Sequence, residues 1–86
     1  MKEFKYTITD EVGIHARPAG LLAKKAKEFG DKITIQTAAG KSAEATKLMA
    51  LMGLGVKQGD EVTVVVEGEN EAATAEAMEQ FFHDNL

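Results

Sequence analysis

Cysteine is absent from this chain, and proline occurs once in 86 residues. Without thiols there is no disulfide, no thiolate nucleophile and no Cys-based zinc or iron–sulfur centre. The core has to stabilise the fold alone. Long apolar runs are missing too, since nothing approaches the roughly 20 residues needed to cross a bilayer. Met1-Lys2-Glu3-Phe4 passes directly into alternating sequence, with no run of signal-peptide type. A cytoplasmic protein with no membrane insertion is the expectation. The length suits one domain over residues 1–86. A domain of this size removes only about 60–65% of its unfolded-chain surface from water, so a deep substrate cavity would take core it needs.

An excess of basic charge is also lacking. Ten Lys and Arg face fourteen Asp and Glu, for a net charge of −4 and a pI near 5.1. Nonspecific nucleic-acid affinity comes from Lys and Arg neutralising phosphates, so no nucleic-acid partner is expected. The charges are unevenly spread: residues 1–57 carry a net +4, whereas 58–86 carry −8 and contain no Lys or Arg. The basic half suits an acidic protein partner.

What is present is a clear alternation of periods. Residues 3–9 place Phe4, Tyr6 and Ile8 on one face and Lys5, Thr7 and Thr9 on the other, a half-buried strand. Asp10 to Gly13 breaks the pattern. From Ala16 the period is helical, with Ala19, Leu22, Ala23, Ala26 and Phe29 on one face and Gly30 as the C′ residue. Ile33 and Ile35 mark a second strand, which turns at Ala38-Ala39-Gly40 into a short third strand near Lys41–Glu44. Lys47–Met52 is a short helix stopped by Gly53 and Gly55, and Gln58-Gly59-Asp60 is a turn. Glu61–Glu67, with Val62, Val64, Val65 and Val66, is the strongest strand. The last helix runs from about Glu71 to His83, with Ala75, Met78 and Phe82 in one stripe. The order βαββαβα predicts an α+β fold in which helices cover a single face of one sheet. Lys5, Thr7, Thr34, Gln36 and Thr63 then belong to the solvated face.

Gly13-Ile14-His15-Ala16-Arg17-Pro18-Ala19-Gly20 places a histidine where loop becomes helix. Pro18 is tolerated only because first-turn N–H groups have no intrahelical acceptor. Those N–H groups and the helix dipole favour an anion and disfavour an imidazolium, which should increase the share of neutral, nucleophilic His15. A phosphoryl group accepted on the ring would meet backbone donors and the guanidinium of Arg17. Gly13 and Gly20 would leave room for another protein to approach. The pattern therefore fits a transient phosphoryl carrier. Spacing alone also fits a capping or surface histidine, or an anion-binding module. Metal binding lacks a partner, because His83 is the only other histidine. No nucleophile and orienting acid for hydrolysis accompany His15.

From Gly13 to Ala19 the chain resembles the active-site signature of the HPr family, histidine-containing phosphocarriers of the bacterial phosphoenolpyruvate-dependent sugar phosphotransferase system. Leu48-Met49-Ala50-Leu51-Met52-Gly53-Leu54-Gly55, followed by Gln58-Gly59-Asp60 and a valine strand, is similar to the family's second-helix region. The likeness covers essentially the whole chain. It implies an open-faced β-sandwich: a four-stranded antiparallel sheet in order 1-4-2-3 with three helices on one side. It also implies that His15 accepts a phosphoryl group at Nδ1 from enzyme I and passes it to the A domains of sugar permeases. Arg17 would stabilise the phosphoryl oxygens, and no cofactor would be needed. Such a protein is a stoichiometric carrier, expected to be a monomer, not an independent turnover enzyme.

Residues expected to meet partners are Ala16, Pro18, Gly20, Lys24, Lys27, Lys47, Leu48, Met49 and Met52. The second helix has more apolar side chains than one face can bury, and methionine adapts to unlike surfaces. Lys24, Lys25, Lys27, Lys47 and Arg17 would form a positive rim. The acidic run Glu67, Glu69 and Glu71 would lie at the opposite end. Three departures from the family pattern stand out. Many relatives carry a kinase-regulated serine at the start of the second helix, where this chain has Lys47, whose charge is opposite to that of phosphoserine. One extra residue falls most simply in the turn Thr37-Ala38-Ala39-Gly40. Val12 replaces a small polar residue. A regulatory or nitrogen-branch carrier, or a binding protein of the same fold, is the alternative.

Overall fold

The computed structural model describes residues 1–11, 13, 14 and 16–86, and only the backbone of Ala16. Its elements are β1 (Lys2–Thr7), α1 (Ala16–Lys27), β2 (Lys32–Thr37), β3 (Ser42–Glu44), α2 (Leu48–Met52), β4 (Glu61–Glu67) and α3 (Glu71–Asn85). The four strands form one antiparallel sheet in order β1-β4-β2-β3, and the helices cover one face. The sequence-based element order and the sheet order implied by the resemblance both agree with this architecture.

β4 lies between β1 and β2, so its register aligns the core. Phe4, Val64, Ile35 and Ala43 form one cross-strand row, and Tyr6, Val62 and Thr37 form another. Side chains alternate along a strand, so these rows share the helix-covered face. Val62, Val64, Val66, Ile33 and Ile35 are buried there with Leu22, Leu51 and Met78. The intervening row Lys5, Thr63, Gln36 and Ser42 faces the open side. Val65 falls on that side by parity. It is nevertheless buried among its neighbours in the row, Glu3, Thr34 and Glu44.

α3 crosses β1 through an aromatic cluster. The Phe82 ring lies 5.9 Å from that of Phe4 and 5.5 Å from that of Tyr6, both edge to face. The buried stripe of α3 is Thr74, Met78 and Phe82, with Ala75 only partly covered. Thr74 replaces Ala75 in the expected stripe because its hydroxyl donates to Asp31 Oδ2 (2.9 Å), which satisfies the polar group that burial would otherwise penalise. α1 ends differently from the C′-glycine expectation. Gly30 lacks the positive φ of a left-handed cap; instead, the N–H groups of Glu28 and Phe29 donate to Lys25 O and Ala26 O and tighten the last turn.

Phe82→Ala removes the common partner of three rings and should lower unfolding free energy by about 3–5 kcal/mol. Urea titration followed by far-UV circular dichroism measures this loss.

Candidate functional site

The loop between β1 and α1 is held from two directions. The Ile14 N–H donates to Val56 O (3.1 Å), and the Gly13 N–H turns back to Asp10 O (3.1 Å). On the other side, Leu86 O accepts bonds from the Thr9 and Asp10 N–H groups (2.6 and 2.9 Å) and from Thr9 Oγ1 (2.9 Å). Gly13 is buried with φ near +80°. A Cβ there would collide with the Val56 carbonyl oxygen and stand 2.6 Å from Lys57 Cα. The sequence reading left Gly13 open for a partner, but its missing side chain accommodates the chain's own α2–β4 segment.

α1 begins at Ala16, directly after His15 in sequence, with Arg17 exposed and Pro18 buried in the first turn. His15 and Val12 lie outside the described residues, as does the side chain of Ala16. The proline is accommodated because it occupies a first-turn position without an N–H acceptor. Arg17, Gly20, Leu21 and Lys24 share one stripe of α1 at helical spacing. A Cβ at Gly20 meets nothing within 4 Å, so this glycine, unlike Gly13, leaves open space outside the helix.

Leu21 is 45% exposed on that stripe and was not among the expected contact residues. Its signal was the pair Leu21-Leu22: adjacent helical residues point about 100° apart, so one core-facing stripe cannot hold both equally. Leu22 takes the core and Leu21 remains outside. α2 packs against α1 and β3. Only Leu51 of α2 is buried, whereas Met49 is 78% exposed and Leu48 and Met52 are each 39% exposed. Apolar side chains on two adjacent helices thus remain in water.

Lys47 occupies the N-cap position of α2, exposed and without a side-chain capping bond. Lys24 and Lys27 are also exposed, while Lys25 is engaged by Glu28 (3.8 Å) and lies over the Phe29 ring. Arg17 and Lys27 are separated by about 15 Å along the helix axis, beyond a Debye length of about 8 Å at physiological salt. Arg17 in the first turn and Lys27 in the last are therefore electrostatically separate positions on α1. Glu67 and Glu71 lie at the other end of the sheet: β1 and β4 meet as Thr7–Glu61 beside the loop and as Lys2–Val66 at the far end. No group of three or more potential metal ligands occurs among the described residues.

A family model described as "PTS HPr component phosphorylation site" matches residues 2–84. A phosphocarrier protein HPr of Lysinibacillus sphaericus is 42% identical over 78 residues, covering 91% of this chain and 88% of the relative. A phosphocarrier protein HPr of Mycoplasma capricolum is 38% identical over 84 residues, with coverages of 98% and 93%. The crystal structure of HPr from Thermoanaerobacter tengcongensis superposes with a TM-score of 0.91 at 33% identity, covering 99% of this chain and 94% of that one.

The two glycines should respond oppositely to alanine. Gly13→Ala should reduce stability by about 2 kcal/mol or more through strain and overlap. Gly20→Ala should raise it by about 0.5–1 kcal/mol through helix propensity. Thermal denaturation of both variants measures the contrast.

Proposed function

Because the chain belongs to the HPr family of phosphotransferase-system phosphocarriers, we propose that His15 accepts a phosphoryl group from phospho-enzyme I and delivers it to the A domains of sugar permeases. The observation that carries this reading is the whole-chain family match, together with the His15-Ala16-Arg17-Pro18 sequence at the start of α1. In the first step the imidazole Nδ1 lone pair forms an N–P bond as phosphorus leaves the donor. In the second an acceptor nucleophile takes phosphorus and the electron pair returns to Nδ1. Arg17 supplies a charge-assisted hydrogen bond to the phosphoryl oxygens, and α1 adds N-terminal backbone donors.

The protein participates stoichiometrically and is recycled, as a cytoplasmic monomer without a cofactor. No helix among the described residues is long and apolar enough to cross a membrane. Ala16 and Gly20 supply close contacts at the start of α1, whereas Pro18, being buried, fixes the helix start instead of touching a partner. Leu48, Met49 and Met52 form the adaptable patch, and Lys24, Lys27 and Lys47 steer acidic partners. A patch of flexible methionines suits a carrier that must dock on an enzyme and then on unlike acceptors.

Incubation with enzyme I and phosphoenolpyruvate should place one acid-labile phosphoryl group on His15, detected by peptide mass measurement, and His15→Ala should abolish it. Met49→Asp should slow transfer on the order of ten-fold, equivalent to about 1–2 kcal/mol of lost docking. Its melting temperature should stay near that of the parent. Unchanged transfer kinetics would reject the docking role.

Lys47 has no hydroxyl for the kinase that modifies serine at this position in relatives. Treatment with that ATP-dependent kinase should leave the chain free of stoichiometric serine or threonine phosphate by mass spectrometry.

A further inference from the structure

The chain has four methionines and no cysteine, so thioethers are its only sulfur. Their exposures differ sharply. Met78 is wholly buried in the same core cluster as Phe82, whereas Met49 is 78% and Met52 39% exposed on α2. Met1 is exposed as well, next to the start of β1 at the sheet end away from the β1–α1 loop. Leu51 alone anchors the five-residue α2 in the core, and Met49 and Met52, three residues apart, lie side by side on the helix surface. An oxidant in solution therefore reaches two thioethers on α2 while the core shields Met78.

We propose that Met49 and Met52 are reversible oxidation sites through which a peroxide switches off partner docking without unfolding the carrier. The inference rests on the docking role given to α2 above. In the forward step a sulfur lone pair attacks one oxygen of hydrogen peroxide, and the S–O bond forms as the O–O bond breaks. The proton on the transferred oxygen passes to the departing hydroxide, which leaves as water. Sulfur loses two electrons and the peroxide gains them. A sulfoxide reductase reverses the change with two thiols, giving back the thioether, a disulfide and water. The sulfoxide is polar and accepts hydrogen bonds. On the free carrier it costs the fold little, because these side chains already meet water. Against an apolar partner surface the new polar group must be desolvated, so the loss falls on binding. With no thiol in the chain to be oxidised first, these two thioethers are the accessible sulfur on the docking face.

For the test, the carrier is treated with hydrogen peroxide, freed of it with catalase, and mapped by peptide mass spectrometry. Met49 should gain oxygen first and Met52 next, with Met78 lagging Met49 by about ten-fold or more until urea erases the difference. Phosphoryl transfer from enzyme I to the oxidised carrier should slow about five- to ten-fold, and a sulfoxide reductase with dithiothreitol should restore it. The melting temperature should stay near the unoxidised value. In the double variant Met49→Leu, Met52→Leu, compared with its own untreated form, peroxide should leave transfer unchanged although Met1 is still oxidised. Oxidation of Met78 as fast as Met49 in the folded chain overturns the proposal. So does an equal loss of transfer in the leucine variant. Undiminished transfer by a chain carrying both sulfoxides also overturns it, and the docking reading falls with it only where Met49→Asp transfers normally too. Absence of phosphate on His15 in the untreated chain instead overturns the phosphocarrier reading.

Discussion

The close approach of Gly13 to the Val56–Lys57 backbone sets where α1 can begin. A positive φ turns the chain, and the absence of a side chain lets two backbone segments come together. The Ile14–Val56 hydrogen bond then fastens the loop to the segment between α2 and β4. Leu86 O holds the preceding residues from the other side. The position of the first turn of α1, and with it Arg17 and Pro18, follows from this two-sided restraint. Rigid placement matters because phosphoryl transfer depends on donors already aimed at developing charge.

The sheet carries that restraint without contributing directly to the site. β4 pairs with both β1 and β2, so a register slip would turn its inward valines to water and break two ladders together. The aromatic cluster of Phe4, Tyr6 and Phe82 seats α3 on β1 and brings the end of that helix toward the loop. Bulk packing is concentrated beneath the helices, while the face presented by α1 and α2 is left partly apolar and unpartnered. A small chain can serve as a carrier under these conditions because a deep pocket of its own is unnecessary.

Much of this architecture was legible in local periodicity. The alternation of Phe4, Tyr6 and Ile8 predicts an inward strand face, and the single proline marks the beginning of α1. The crowding of Leu48, Met49, Leu51 and Met52 predicts that some apolar side chains remain outside, and Leu51 alone is buried. The failures share a cause. The spacing of Ala75, Met78 and Phe82 predicts the buried stripe of α3, but Thr74 is buried ahead of Ala75, and Asp31 gives the threonine hydroxyl a partner across the chain. Gly30 follows a helix and reads as a left-handed cap, yet carbonyl groups one turn earlier satisfy the terminal N–H groups. Each outcome depends on hydrogen-bond partners or backbone angles that composition does not encode.

The amino-acid sequence by itself determined the element order, the inward and outward parity of the strands, the start of α1 and the family to which the chain belongs. These are properties of spacing and residue type, readable within a few turns or strand residues. Only the tertiary structure distinguished the two glycines near the site: Gly13 fits against Val56 and Lys57, whereas Gly20 opens outward. It alone brought Asp84 into one cleft with Asp10, Glu11 and Arg17. Those residues are far apart along the chain, and packing of the end of α3 against the β1–α1 loop supplies the proximity. Local pattern specifies which elements form; long-range packing decides which residues line one cleft.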